Sequence, residues 1–251
     1  MKRLEGKVAL VTGGGTGTGR AIALALAAEG ADVSVNYSRS ADDAEGTVRD
    51  IAALGVRCVA VKADVSDDGE VRAMVERTVR ELGRLDVLVN CAGYTSFVPH
   101  SDLEGLTDAI WDRTLDVNLR GAFLCCRAAI ASMRVNGAGS VINIAGTAGI
   151  TGLGSSIAYC ASKAGILSLT RSLAIAFAPE IQVNAISPGI IEDTRWTKGQ
   201  ERFNEAGRAQ TPMRRLAAVT DIAETAVFLA AGTRMITGQN LVVDGGRVIH
   251  H

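Results

Sequence analysis

Lys7-Val8-Ala9-Leu10-Val11-Thr12-Gly13-Gly14-Gly15-Thr16-Gly17-Thr18-Gly19 passes from a short apolar run through a turn crowded with glycine, and Ala21, Ile22, Leu24, Ala25 and Leu26 follow at helical spacing. A strand, a glycine turn and a helix in that order make a dinucleotide site. The glycines let backbone approach a pyrophosphate, and the helix N-terminus supplies N–H donors and the positive end of its dipole. That chemistry assigns Gly13, Gly15, Thr16, Gly17, Thr18 and Gly19 to cofactor contact. A glycine turn can also exist without a ligand; the strand before it and the helix after it favour one.

Outward from this unit, short apolar runs alternate with longer helical patterns and no linker interrupts them. Strands are expected at 8–11, 32–36, 57–62, 87–90, 140–144, 182–186 and 241–243, and helices at 17–29, 41–54, 69–82, 108–135, 156–178 and 221–231. Several strands are apolar on both faces, as when helices cover both sides of a parallel sheet. The expected architecture is α/β, a single-domain doubly wound parallel sheet of Rossmann type over 1–251. The stretch 190–215, with Trp196, Phe203 and many charges, has no strong pattern and reads as either a lid or a poorly ordered segment.

The net charge of -1 argues against a broad nucleic-acid or membrane surface. No secretory pattern opens the chain and no apolar run approaches the length of a membrane span, so a cytoplasmic protein is expected. Cys58, Cys91, Cys125, Cys126 and Cys160 show neither CxxC spacing nor nearby histidines, which points to buried free thiols and no metal site. His100 reads as an exposed loop residue, and His250 and His251 are assigned no role.

Tyr159 and Lys163, in Tyr159-Cys160-Ala161-Ser162-Lys163, lie one helical turn apart and share a face. A tyrosine with a pKa of about 10 needs help to exchange protons at neutral pH. A cation about 4 Å away, at an effective dielectric of about 20, contributes on the order of 4 kcal/mol, or about 3 pKa units. The pair alone also occurs by chance on amphipathic helices; beside a dinucleotide turn it is read as a proton donor with its cation.

These motifs, with Asp64-Val65, Asn90-Cys91-Ala92-Gly93, Asn118, Pro188-Gly189 and Asp244-Gly245-Gly246 in order between Leu4 and Gly246, resemble those of the short-chain dehydrogenase/reductase family. Between Gly6 and Lys62 the sequence most resembles reductases of 3-oxoacyl thioesters and of sugars. The family resemblance implies hydride transfer between a nicotinamide and a carbonyl or secondary alcohol, with Tyr159 exchanging the proton and Lys163 holding the ribose. By the same resemblance Asn118 breaks a helix locally and holds a relay water, Asp64 and Val65 receive the adenine, and Asn90, Ala92 and Gly93 lie against the cofactor. Pro188, Gly189, Ile191 and Thr194 would orient the nicotinamide amide, a homotetramer is implied, and the lid would close over substrate.

Two positions depart from the family. Its threonine comes one residue nearer the proline than Thr194 does here, so either a bulge absorbs the difference or Asp193 takes the place. Its catalytic serine falls at Gly146, which has no hydroxyl. Losing one donor to a developing oxyanion typically costs about 10² to 10³ in rate. Thr147 is the nearest replacement, with Ser155 and Ser156 as alternatives.

Cofactor choice is read from Asn36-Tyr37-Ser38-Arg39 at the end of the second strand. An NAD site usually carries a carboxylate there. Asn36 stands in that place, and Ser38 and Arg39 suit a 2′-phosphate, so NADP(H) is expected over NAD(H), although Arg39 is also readable as a solvated loop residue. The expected partner is a small, neutral or weakly polar carbonyl or alcohol substrate, because no basic patch for an acyl carrier protein is evident around 136–140 or Glu180. Gly146 leaves a second function class open, a cofactor-binding homologue of low or no activity.

Overall fold

The computed structural model describes residues 2–250, which leaves His251 outside the described residues. Seven strands form one parallel sheet: β1 (Val8–Val11), β2 (Asp32–Tyr37), β3 (Cys58–Lys62), β4 (Val87–Asn90), β5 (Gly139–Ile144), β6 (Ile181–Pro188) and β7 (Asn240–Val243). Their order is β3-β2-β1-β4-β5-β6-β7, and every neighbouring pair is parallel. The helices are α1 (Gly17–Ala28), α2 (Ala41–Ala52), α3 (Asp68–Leu82), α4 (Asp108–Leu115), α5 (Gly121–Val135), α6 (Ala148–Thr151), α7 (Ile157–Phe177), α8 (Glu201–Gln210) and α9 (Val219–Ala231).

Strands β1, β4 and β6 are buried along their whole length, because each face meets helices. Successive β1 side chains alternate between two cores. Val8 and Leu10 join Met74 of α3, Leu124 of α5 and Ala174 of α7, whereas Ala9 and Val11 join Ile22 of α1, Ile51 of α2 and Ile222 of α9. The chain reverses its direction of winding between β1 and β4. Such a switch point opens a crevice at the carboxyl ends of the strands, where ligands bind.

The expected strands occur within a residue or two of their predicted bounds, the largest difference being β6, which runs on two residues to Pro188. Two helical expectations are corrected. The single helix over 108–135 is divided by a π-helical turn, Asp116–Arg120, which carries the buried Asn118. The patternless stretch 190–215 contains α8, which lacks an apolar stripe because the residues it buries are Asn204 and Gly207. Polar bonds fix it instead: Asn204 Nδ2 donates to the Thr197 carbonyl at 2.9 Å and Arg208 Nε to Glu192 at 2.9 Å. The short α6 also falls where the sequence pattern predicts no element.

Candidate active site

The crevice is built first by Thr12, at the carboxyl end of β1. Its hydroxyl accepts the N–H groups of Cys91 (3.0 Å) and Ala92 (3.1 Å) and donates to the Val89 carbonyl, tying the ends of β1 and β4 together. The glycine turn then packs against its own helix. A Cβ placed on Gly19 would lie 2.2 Å from the Gly13 carbonyl oxygen, so a larger residue cannot enter α1 along this path. Gly15 lies equally close to α2, where an added Cβ would be 3.2 Å from the Ala44 backbone.

At Thr16, the N-cap of α1, the side chain makes no capping bond, and the first turn, which includes Gly17 and Thr18, has no acidic residue. First-turn N–H groups have no acceptor within a helix. An uncapped helix start without carboxylates, at the switch point, fits the pyrophosphate of a dinucleotide.

At the end of β2 the expectation for Asn36 is corrected. Its Oδ1 accepts from the Gly13 N–H (3.2 Å) and its Nδ2 donates to the carbonyls of Val61 and Ala63, so this buried side chain braces the glycine turn from inside the fold and has no donor left for a ribose. The half-buried Tyr37 ends the strand, and Ser38 and Arg39 are exposed beyond it. Arg39 takes part in none of the ion pairs among the described residues, whereas the nearby Arg20 is held by Asp50 at 2.5 Å.

After β3, Asp64 accepts bonds from the Ser66 backbone and hydroxyl and from Arg113 Nη2 at 2.9 Å. Partial burial disfavours its charged form, but these bonds outweigh that and lower its pKa. Val65 is buried against Gly121, where an added Cβ would meet it at 2.9 Å.

After β4 the backbone of Ala92 lies against the glycine turn, 3.0 Å from where a Gly13 Cβ would stand. An added Cβ on Gly93 would be 3.6 Å from Asn118 Oδ1. Asn90 does not join them. Its side chain turns inward, donating to Asn143 Oδ1 across the sheet at 2.8 Å, and its buried Oδ1 has no partner.

Tyr159 and Lys163 share one face of α7, with the lysine Nζ 5.6 Å from the phenol ring centroid. The expected lowering of the tyrosine pKa is absent. Burial pushes the phenol up to about 12, and Cys160 and Cys91 act in the same direction. Burial likewise brings Lys163 down to about 8, and its Nζ donates to the Ile144 carbonyl at 2.8 Å. Desolvation therefore outweighs the attraction that helical spacing alone implies.

Asn118 serves this pair as a brace. Its Oδ1 accepts from the Tyr94 N–H (2.7 Å), and its Nδ2 donates to the Tyr94 carbonyl (2.9 Å) and to Ser162 Oγ (3.0 Å), next to Lys163. A relay water on this amide, as the resemblance implied, would have to compete with those three bonds.

Gly146 has φ +155 and its added Cβ would stand 3.9 Å from Tyr159 Oη, so a serine there would place its hydroxyl beside the phenol. Of the candidate replacements, Ser156 caps α7 by accepting from the Tyr159 N–H at 3.2 Å, and Ser155 Oγ is bonded to Thr95 Oγ1. Thr147, half-buried at the start of α6, donates its N–H to the Pro188 carbonyl at 3.0 Å, and its hydroxyl makes no hydrogen bond among the described residues.

Pro188 thus links the serine position to the turn after β6. Gly189 donates to the Val243 carbonyl at 3.0 Å, with Asp244 so close that a Cβ would meet it at 2.9 Å. Ile191 bridges Ala217. In this turn Asp193 adopts φ +53, and Thr194 Oγ1 is bonded to Thr197 Oγ1 at 3.0 Å. His100 is half-buried with an unpartnered Nε2, rather than exposed as expected. All five cysteines are free, with Cys58 and Cys91 only partly buried. Sequence reading missed the roles of Thr12, Ser162 and Tyr94; the position of Thr12 directly before the glycines was the available signal.

A family model described as enoyl-(acyl carrier protein) reductase matches residues 13–247. A granaticin polyketide synthase putative ketoacyl reductase of Streptomyces violaceoruber is 42% identical over 96% of this chain and 96% of its own length. The 3-oxoacyl-[acyl-carrier-protein] reductase of Staphylococcus aureus strain N315 is 41% identical over 96% of this chain and 97% of its own. Among solved structures, a putative short-chain dehydrogenase/reductase from Burkholderia xenovorans superposes with a TM-score of 0.91 at 34% identity, covering 97% of this chain and 98% of that one. No helix among the described residues is long and apolar enough to cross a membrane.

Proposed function

The chain belongs to the short-chain dehydrogenase/reductase family, and from that premise we propose an NADP(H)-dependent oxidoreductase that moves a hydride between nicotinamide and the carbonyl or secondary-alcohol carbon of a small substrate. The observation that carries this reading is the placement of Tyr159 and Lys163 on one face of α7, with Lys163 bonded to the end of β5 and the Gly146 backbone beside Tyr159 Oη, in a fold whose glycine turn opens an uncapped α1 at the switch point. The nicotinamide, when bound, supplies the hydride chemistry. Tyr159 Oη holds the proton given to the carbonyl oxygen, and Lys163 holds the ribose side of the site. Asn118 keeps the loop after β4 and α7 in register through Tyr94 and Ser162. Asp64 and Val65 flank the adenine end, Ala92 and Gly93 form the floor, and Pro188, Gly189 and Ile191 form the wall on the nicotinamide side.

Thr147 is assigned the carbonyl-polarising role at the site where Gly146 offers no donor. A Thr147→Ala variant is expected to lose about 10-fold to 10²-fold in kcat for ketone reduction, less than the loss of a fully preorganised donor. Undiminished turnover would remove the assignment.

Preference for NADP(H) rests on Ser38 and the unpaired Arg39, since a guanidinium meets phosphate by charge-assisted bonds. Arg39→Ala is expected to weaken NADPH binding about tenfold and leave NADH binding unchanged, measured by fluorescence titration. Equal effects on both cofactors would contradict the preference. Self-association into a homotetramer belongs to the same reading and is supported by exposed Phe123 on α5 and Val242 on β7.

A further inference from the structure

Two exposed aromatic rings meet at the carboxyl-end side of the sheet, where the crevice lies. Phe97 (69% exposed) lies in the loop after β4 and Trp196 (44% exposed) in the loop after β6, with ring centroids 6.2 Å apart and planes inclined by 56°. This is the tilted arrangement that aromatic pairs favour. Packing does not explain either ring, because most of Phe97 and nearly half of Trp196 remain in water.

Hydrogen bonds tie Phe97 to the proton donor. Its neighbour Val98 donates to the Ser155 carbonyl at 2.9 Å, Thr95 bonds the Ser155 hydroxyl, and the adjoining Ser156 accepts the N–H of Tyr159. Trp196 follows Thr194 closely in the turn that walls the nicotinamide side. Leu153 (68% exposed) and Ile150 (42% exposed) project from the α6 region, the remaining loop around the cleft. The stretches 94–99 and 149–155 contain no charged residue. Exposed apolar surface gathered from three loops around one cleft marks a ligand surface.

Resting on the oxidoreductase reading above, we infer that Phe97 and Trp196 form an apolar clamp that selects carbonyl substrates bearing an aromatic or comparably bulky apolar group on one side of the carbonyl. A small ketone leaves both rings in water. An aryl group seated on them removes apolar surface of both partners from water.

Butanone and benzylacetone are both methyl ketones and differ by a phenyl group, which makes them a matched pair. The native enzyme is expected to show a kcat/KM for benzylacetone about tenfold or more above that for butanone. In the Phe97→Ala/Trp196→Ala double variant that preference disappears, mainly through KM, while butanone turnover stays within about twofold. Equal values in the native enzyme, or a preference surviving in the double variant, would overturn the clamp.

A binding measurement does not require turnover. In a Trp111→Phe background with NADP+ present, benzylacetone is expected to change Trp196 fluorescence saturably and butanone to leave it flat. A flat benzylacetone titration overturns the clamp, even if butanone is reduced and the oxidoreductase reading stands. A saturating titration with no turnover of either ketone would instead support the clamp and count against the oxidoreductase reading.

Discussion

Tyr159→Phe is expected to lower kcat for carbonyl reduction by about 10² to 10⁴, the usual contribution of a positioned proton donor, with cofactor affinity unchanged within about twofold. The substitution removes one hydroxyl and keeps the ring that packs beside Lys163 Nζ at 5.6 Å. The fold is therefore expected to survive, as thermal unfolding of the variant would report. Burial holds the phenol near 12, so it stays protonated across neutral pH and is ready to donate in the reductive direction. Alcohol oxidation needs the phenolate and is expected to rise with pH over the same range. A phenylalanine variant that keeps more than a tenth of native turnover would remove Tyr159 from the chemistry.

Gly19→Ala is expected to damage cofactor binding most among single changes outside α7. The new methyl would stand 2.2 Å from the Gly13 carbonyl oxygen, a separation no Cβ tolerates, and the contact is with backbone, which cannot swing aside. Either α1 shifts back from the turn or the turn opens. Both movements take the first-turn N–H groups away from the pyrophosphate position. Hydrogen bonds to charged groups contribute about 1.5–3 kcal/mol each, so displacing one weakens the cofactor about 10-fold to 10²-fold. Overpacking at the same place costs stability on the order of 1–3 kcal/mol. Calorimetric titration with NADPH measures the first effect and denaturant unfolding the second. Native affinity in the alanine variant would mean that the turn does not hold the phosphates.

The layered fold was legible because its strands are apolar on both faces and its helices alternate with them, a pattern set by burial between two helix layers. The π-helical turn at Asp116–Arg120 was not, since one wider turn scarcely disturbs an apolar stripe. Helix α8 escaped for a different reason: Asn204 and Arg208 anchor it by polar bonds that leave no periodic signature.

Within the site, spacing along a helix correctly put Tyr159 and Lys163 on one face but carried no information about desolvation, which decides their pKa values. Asn36 shows the limit for strands. Neighbouring side chains on β2 point to opposite faces, so a one-residue choice between Asn36 and Tyr37 decides which meets the cofactor. The pairing of Asn36 with Gly13 shows only that the Asn36 side chain turns into the fold.

The native chain and a Gly146→Ser variant, assayed side by side for NADPH consumption with a ketone panel, test most directly whether a site with glycine at this position catalyses. The added serine would begin 3.9 Å from Tyr159 Oη, and its backbone would have to rotate from φ +155 into the extended region. The expected result is turnover by the native chain, with the serine variant faster by less than about 10²-fold because Thr147 already supplies part of the donor. Turnover confined to the serine variant, with the native chain at background, would contradict it.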